Sequence, residues 1–388
     1  MSEGERFSAA DAGFMRRALA LAERGRGSTR PNPVVGAVIV RGGRVLAEGF
    51  HRRAGEAHGE IDALARLGGR APGATLYVNL EPCCHIGRTG PCTSALIAAG
   101  IRRVVVGSLD PNPRVDGRGV RRLRAAGIRV DVGCLAEACR AANRSFFVWV
   151  RERRPLVTLK VASTLDGFIA GVGGAPARIT GNPARAAAHA LRAAHDAVLV
   201  GAGTVRADDP RLTVRLPARR GAPARRGQPV PETPARVILD GKLSTPPGAR
   251  VLRARPGLPA TLVLGARGAE PRRVRALQRA GAEVVLLPAG RGGRLPIARV
   301  LAELGRRDIQ SVLVEGGAGV HGAFIDARLI DQVAVFVAPK LIGAGVAIAA
   351  GVGWPVPRAV GLGPLSVRAL GPDLLVRGEV IRDAPGRR

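Results

Sequence analysis

The sequence predicts an α/β fold in two domains, on three observations. At 388 residues the chain exceeds the ~100–200 residues of one ordinary domain, and its 46% hydrophobic content gives each half enough apolar side chain for a core. Helix-period and strand-period segments alternate at the spacing of right-handed βαβ crossovers. Between the halves lies Arg151-Glu152-Arg153-Arg154-Pro155, a charged stretch ended by proline. The expected domains are residues 1–150 and 155–388.

In the first half, residues 8–25 read as an amphipathic helix, with Ser8 as cap, Asp11 three positions on, and Phe14, Leu19 and Leu21 apolar. Strands follow at 34–40 and 44–50, parted by the hairpin signal Gly42-Gly43. Next come a short helix at 60–67, a strand at 75–80, a helix at 93–99, a strand at 103–108, a helix at 119–126 and a strand at 128–132. This order predicts parallel pairing after the opening hairpin. A helix over 135–150, packing through Phe146, Phe147 and Trp149, closes the half.

The second half opens with a strand at 156–162, a helix at 183–194 with Pro183 in its first turn, and a strand at 197–201. Residues 204–215 read as a polar loop carrying the carboxylate pair Asp208-Asp209. Residues 219–234 are rich in Arg, Pro and Gly, hence an exposed loop. Strands at 236–240, 261–265, 283–287, 311–315 and 332–337 follow, with helices between several of them. There is no internal repeat and no heptad pattern.

The net charge of +30 invites a nucleic-acid reading, but its distribution argues against one. Only Lys160, Lys242 and Lys340 among the 60 basic residues are lysine, and the arginines are scattered along the chain. Aromatic residues are 3%, too few for base-stacking platforms. Small anionic substrates suit such a chain better than nucleic acid. The longest apolar runs fall far short of the ~18 residues of a membrane span. The opening Met1-Ser2-Glu3-Gly4-Glu5-Arg6 carries two acids and no apolar core, so it is not a secretory signal. A cytoplasmic protein without a membrane partner is expected.

Three of the five cysteines (83, 84, 92, 134 and 139) fall within ten residues, which in a reducing compartment points to metal rather than disulfides. His58-Gly59-Glu60 precedes Glu81-Pro82-Cys83-Cys84-His85 and then Cys92. One imidazole and two thiolates, His58, Cys83 and Cys92, are three ligands that zinc prefers, leaving a fourth position open for water. Glu60, two residues beyond His58, is placed to shuttle protons without binding the metal, the division of labour in zinc deaminases. A structural zinc remains open, with Cys84 or His85 as fourth ligand. The eight residues between Cys83 and Cys92 replace the usual two, and include His85, Gly87 and Arg88, which suit a phosphate or hydroxyl.

Taken with Pro31-Asn32-Pro33-Val34-Val35-Gly36, His51, Asp110-Pro111-Asn112-Pro113 and Gly117-x-Gly119, this segment resembles the bifunctional riboflavin-biosynthesis deaminase/reductases. The resemblance implies a cytidine-deaminase-like α/β/α domain binding one zinc ion. It implies pyrimidine contacts from Asn32 and His51, and contacts on the ribosyl phosphate side from His85 and Arg88. The family usually has alanine where this chain has Gly59, a change expected to loosen the helix start.

In the second half, Val314-Glu315-Gly316-Gly317-Ala318-Gly319 joins a strand to a helix in a turn that presents N–H groups to phosphate; it is not the G-x-G-x-x-G of a Rossmann fold. Leu159-Lys160-x-Ala162-Ser163, Asp166-Gly167, Ile179-Thr180, Leu191-Arg192, Thr204 to Arg215 and Glu315-Gly316-Gly317 resemble the reductase domain of the same family, which is dihydrofolate-reductase-like. The similarity spans residues 10–375. It implies NADPH contacts from Ala162, Thr204, Asp208 and the turn Gly316, Gly317, Ala318, Gly319, Val320, His321 and Gly322. It implies substrate contacts from Arg192, Leu212, Arg215 and Glu315. Where the family has Ser and Trp, this chain has Pro176, which cannot donate a side-chain hydrogen bond, and Arg178, suited to a cofactor phosphate. Lys160, a lysine in an arginine-saturated chain, is expected at a sugar hydroxyl or paired with Asp166.

The expected activity is zinc-dependent deamination of a diaminopyrimidinone ribosyl phosphate, then NADPH reduction of the ribosyl chain, by a homodimer. Three alternatives stand beside it: a tRNA base deaminase with an idle second domain, a non-catalytic structural-zinc module, and a chain whose reductase is impaired at Pro176 and Arg178.

Overall fold

The computed structural model describes residues 6–85, 90–175, 177–215, 233–254 and 258–381, and these divide between Arg153 and Arg154 into two compact units. The first unit runs α1 (Ala9–Ala22), β1 (Gly36–Arg41), β2 (Arg44–Phe50), α2 (Gly59–Ala65), β3 (Thr75–Leu80), α3 (Cys92–Ala98), β4 (Arg103–Ser108), α4 (Arg118–Ala125), β5 (Arg129–Val132), α5 (Ala136–Ala142) and α6 (Arg144–Glu152). Ser8 caps α1 in a capping box with Asp11, as the spacing predicts.

The five strands pair in the order β2-β1-β3-β4-β5. Parallel pairing begins only at β3–β4, because β3 lies antiparallel to β1. The crossover from β2 to β3 does join parallel strands, but β1 sits between them and opposes both. Val, Ile and Leu on the two sheet faces fill separate cores. One includes Ile39, Leu76, Leu96 and Val104; the other joins Met15, Val38 and Val105 to α1.

The expected helix over 135–150 is two helices that meet at Asn143. The Asn143 side chain is spent elsewhere: Oδ1 accepts from Val34 N at 2.8 Å and Nδ2 donates to Val34 O at 2.9 Å. Asn79 adds a second clamp, with Nδ2 donating to Val34 O and Oδ1 accepting from Gly36 N. Two buried asparagines therefore fasten the Asn32–Gly36 stretch to the sheet.

The second unit comprises β6 (Leu156–Thr164), β7 (Phe168–Ala170), α7 (Asn182–Ala193), β8 (Ala197–Gly201), α8 (Ala202–Asp208), β9 (Ala235–Leu239), β10 (Thr261–Ala266), α9 (Pro271–Arg279), β11 (Ala282–Leu287), α10 (Ile297–Arg306), β12 (Ser311–Gly316), α11 (Ala318–Asp326), β13 (Gln332–Ala338), β14 (Val346–Ala347), β15 (Ser366–Leu370) and β16 (Asp373–Glu379). Its large sheet has the order β11-β10-β9-β8-β12-β6-β13-β16-β15, parallel from β11 to β13 and antiparallel thereafter. Apolar helix faces, such as Val300, Leu301 and Leu304 of α10, cover it.

Two expectations change here. Thr204 and Asp208 lie on α8 rather than in a polar loop, since Ala202 and Val205 bury against β8. The β15–β16 hairpin falls in a segment that the sequence reading left unassigned, although Gly371-Pro372 parts two apolar runs there and Gly371 has φ +67°. Of the loop expected at 219–234, residues 219–232 lie outside the described residues.

Candidate active sites

In the first unit the chain brings His58, Cys83 and Cys92 together from three elements. His58 immediately precedes α2, Cys83 stands in the turn after β3, and Cys92 is the first residue of α3. Their ligand atoms all lie within 4.8 Å of one another. His58 Nδ1 is 3.2 Å from Cys92 Sγ and 3.6 Å from Cys83 Sγ. Donors held at about 2.0–2.3 Å around one tetrahedral zinc ion are spaced in just this range. The donor set therefore fits zinc.

Cys84 does not join the cluster, since its Sγ turns to Arg114 O at 3.6 Å. The Cys92 thiol, with the His58 imidazole, pulls Cys83 down to about 4 against its burial. The first helical turn of α3 favours the same charge.

A cavity of about 330 Å³ opens beside the cluster, lined by Asn32, His51, Glu60, His85, Asp110 and Asn112 among others. Glu60 is 2% exposed and its Oε2 has no hydrogen-bond partner. Burial pushes its carboxyl up to about 7, against the attraction of His58. His51 Nδ1 donates to Ala57 O at 3.0 Å, so Nε2 accepts from Asn32 Nδ2 at 3.1 Å. Burial lowers the His51 pKa and keeps it neutral in this role. The arrangement leaves Asn32 Oδ1 to face the cavity as an acceptor. His85 Nδ1 is buried without a partner on the same lining. Arg88 lies outside the described residues.

Two features of this site carried no role in the sequence reading. Asp110, pushed up to about 7 by burial, lines the cavity with Asn112. Glu81 accepts from Gly117 N, Val120 N and Asp110 N, tying the cysteine turn to α4 and to the Asp110 loop. The Asp-Pro-Asn-Pro run marked the first and the Glu-Pro-Cys run the second.

In the second unit a cavity of about 640 Å³ is lined by Lys160, Ala162, Arg178, Thr204, Asp208, Glu315, Gly317, Ala318 and His321, among others. Lys160 and Glu315 come from neighbouring strands, one step beyond the pair Val314↔Leu159. Lys160 Nζ lies 3.8 Å from Glu315 Oε2, which corrects the expected pair with Asp166. Asp166 instead accepts from Ile342 N and Gly343 N. Arg192 does not line the cavity. It stands behind Glu315 and binds it through Nε and Nη2 at 2.5 and 2.7 Å. Burial alone would raise Glu315, but Lys160 and then Arg192 hold it at about 2.

Gly317, with φ +76°, turns the chain into α11, and a Cβ there would lie 2.9 Å from Thr204 Oγ1. This cradle at a helix N-terminus fits a dinucleotide phosphate. Gly316, Gly319 and Val320 line a second cavity of about 430 Å³ that shares Gly203, Thr204 and Gly317 with the first. Gly322 lines neither; a Cβ there would meet Ala350 O at 2.2 Å, so it serves close packing.

The side chain of Leu212 is buried with Val198 and Ile238 rather than on the cavity. Arg215 is paired with His189, with Arg215 N 3.3 Å from Nδ1. Burial, then Arg192 and Arg215, lower His189 to about 4. Arg185, His189 and Arg192 share one face of α7 at spacings of four and three, a periodicity that would have found the first two. Pro176 lies outside the described residues.

Two protein families match the chain. Residues 8–108 match the cytidine and deoxycytidylate deaminase zinc-binding region, and residues 155–376 match the RibD C-terminal domain. Riboflavin biosynthesis protein RibD of Aquifex aeolicus is 40% identical over 373 residues, 96% of this chain and 95% of that protein. The protein of the same name in Escherichia coli is 41% identical, covering 85% of this chain and 88% of its own length. Among solved structures, RibD of Acinetobacter baumannii gives a TM-score of 0.83 at 36% identity, over 96% of this chain and 99% of that one. A diaminohydroxyphosphoribosylaminopyrimidine deaminase/5-amino-6-(5-phosphoribosylamino)uracil reductase of Thermotoga maritima gives 0.81 at 38% identity, with 96% and 99% covered.

Proposed function

This chain belongs to the family of bifunctional riboflavin-biosynthesis deaminase/reductases, and from that premise we propose which of its residues carry each reaction. It is a zinc-dependent deaminase and an NADPH-dependent reductase acting on a small phosphorylated pyrimidine. The first reaction removes the amino group of 2,5-diamino-6-(ribosylamino)pyrimidin-4-one 5′-phosphate by hydrolysis; the second reduces the ribosyl chain to ribityl. We assign the first to residues 1–150 and the second to residues 155–388.

His58, Cys83 and Cys92 would hold the zinc ion. Bound there, zinc would lower the pKa of a coordinated water to about 7 and so make hydroxide available at neutral pH. Glu60 takes the water proton on Oε2 and hands it to the departing amine. The unpartnered Oε2 beside the three-ligand cluster is the observation that carries this assignment. Asn32 Oδ1 accepts from the pyrimidine amino edge, His51 holds Asn32 in that orientation, and His85 and Arg88 bind the phosphate side.

In the second unit NADPH supplies the hydride, and the protein supplies orientation. Lys160 and Glu315 hold the opened ribosyl chain, with Arg192 fixing Glu315, while Arg215 and the main chain at Leu212 complete the substrate side. Ala162, Arg178, Thr204, Asp208 and the Gly316–Gly319 turn with Val320 and His321 hold the cofactor. The chain is read as a cytoplasmic homodimer, and its dispersed arginines support a reading without nucleic acid; no helix among the described residues is long and apolar enough to cross a membrane.

The test follows ammonia release and NADPH oxidation together in one tube given the diaminopyrimidinone ribosyl phosphate. Both signals are expected, and prior zinc chelation should stop both, because the reductase then lacks its substrate. Glu60→Gln should keep the metal and lose ammonia release by about 10²–10⁴-fold. Ammonia without NADPH loss would overturn the reductase assignment, and the absence of both signals would overturn the whole reading.

A further inference from the structure

We propose that Phe146 is the stacking face for the pyrimidine ring in the deaminase site, set relative to Asn32 by one buried clamp. This rests on the reading of the first unit as a pyrimidine deaminase, and adds what meets the plane of the ring.

The lining of the cavity of about 330 Å³ divides by chemistry. Asn32, His51, Glu60, His85, Asp110 and Asn112 offer hydrogen bonds, which suit the edge of a heterocycle. The faces of such a ring have no hydrogen bond to make, and burying one calls for flat apolar surface. Pro31, Pro33, Val35, Leu80 and Phe146 supply the apolar wall, and among them only Phe146 carries a π face. The imidazoles on the lining have other tasks. His58 is a zinc donor, and His51 is bonded through both ring nitrogens. His85 has an unpartnered nitrogen to satisfy.

The position of Phe146 is tied to that of Asn32. Asn143, 2% exposed, grips both main-chain polar atoms of Val34. Helix α6 starts at the next residue, and Phe147 N donates to Asn143 O at 3.0 Å. Asn32 lies two residues from one end of this clamp and Phe146 three from the other. Phe146 itself is 6% exposed and packs with Leu80 and Phe147. The group that meets the edge of the ring and the group that meets its face are therefore fastened together without an intermediary.

The match to the cytidine and deoxycytidylate deaminase zinc-binding region ends at residue 108. It includes the zinc donors, Glu60, Asn32 and His51, whereas Phe146 comes from a helix beyond it. The aromatic wall is thus an addition to that region.

Steady-state ammonia release by the full zinc-loaded chain, without NADPH, tests the assignment. A stack made alike in the bound substrate and the transition state acts on KM. Phe146→Leu should raise KM for the diaminopyrimidinone ribosyl phosphate by about 10-fold and change kcat by less than about 3-fold. Phe147→Leu removes the neighbouring ring, which is not on the lining, and should leave KM within about 3-fold. Bound zinc and melting temperature report whether each variant folds, and Phe146→Met gives the same reading if the leucine variant does not. A KM within about 2-fold of wild type in the Phe146 variants would overturn the stacking role. Equal rises for the Phe146 and Phe147 variants would overturn it too, since packing alone would then account for both. Absence of ammonia release by the wild-type chain would instead overturn the deaminase reading beneath it.

Discussion

Arg192 holds Glu315 through two parallel hydrogen bonds, and the same carboxylate lies 3.8 Å from the Lys160 ammonium, so one buried acid organises two cations from α7 and β6. The side chains of all three are at most 14% exposed. Removing the guanidinium leaves the acid with a weaker partner in a low-dielectric setting. Arg192→Met should therefore destabilise the second unit by about 3 kcal/mol. The double variant Arg192→Met/Glu315→Leu should cost less than the sum of its parts, because no orphan charge remains. Denaturant unfolding of the four proteins measures the coupling, and additive losses would refute it.

The same contacts set an acid limit. Glu315 is held at about 2 against an ordinary 4.5, and Asp11 of the first unit at about 2 against 3.8. For Asp11, burial opposes the shift, and the bonds from Arg103, Tyr77 and Ser8 outweigh it. Both native pKa values are depressed, so the folded state binds fewer of these protons than the unfolded chain. Their stabilisation is complete above about pH 4.5 and is lost as pH falls towards 2. Each group is worth about 2–3 kcal/mol in that window. Thermal melting from pH 6 down to 2.5 should show both units weakening below 4.5, and melting temperatures flat across that range would contradict the assignment.

The parts of the fold that were legible in the sequence are those governed by local pattern. The strands Arg44–Phe50, Thr75–Leu80, Arg103–Ser108 and Ala197–Gly201 stand where their apolar runs predict, and Ser8 caps α1. The zinc donors were readable because the ligand types are few and ordered along the chain. What was not readable depends on distant partners. The break at Asn143 arises from Val34, more than a hundred residues away. The partner of Lys160 is set by strand pairing with β12, and no local spacing reports it. Leu212 looked like a contact residue from motif position, yet its neighbours in the core are Val198 and Ile238.

The adjacent cysteines should separate cleanly on substitution. Cys83 Sγ faces His58 and Cys92, whereas Cys84 Sγ turns to Arg114 O. Cys83→Ser should reduce bound zinc from one ion per chain to well below one, and with it ammonia release. Cys84→Ser should retain both. Metal analysis after gel filtration decides it. Loss of zinc in the Cys84 variant would make that residue a fourth ligand and revive a structural metal site.

Gly59 offers a sharper test, because its neighbours reverse the expectation from helix propensity. It is the first residue of α2, directly between His58 and Glu60, and the family usually has alanine there. Propensity alone would favour alanine by up to about 1 kcal/mol, so the glycine reads as a loosening of the helix start. In this chain, however, a Cβ at Gly59 would lie 2.9 Å from Val35 O and 3.4 Å from Phe50 Cα, both backbone atoms. Val35 O also accepts from His51 N at 2.8 Å, and the preceding residue is clamped by Asn79 and Asn143. The carbonyl cannot move away without dragging the segment that carries Asn32 and the histidine it bonds. Gly59→Ala should therefore lower stability by about 1 kcal/mol despite its better propensity. It should also raise the KM of the deaminase step more than it lowers kcat, since the displaced groups face the pyrimidine rather than the zinc donors. A higher melting temperature with unchanged KM would show that the Val35 segment gives way, and that the glycine only loosens the helix.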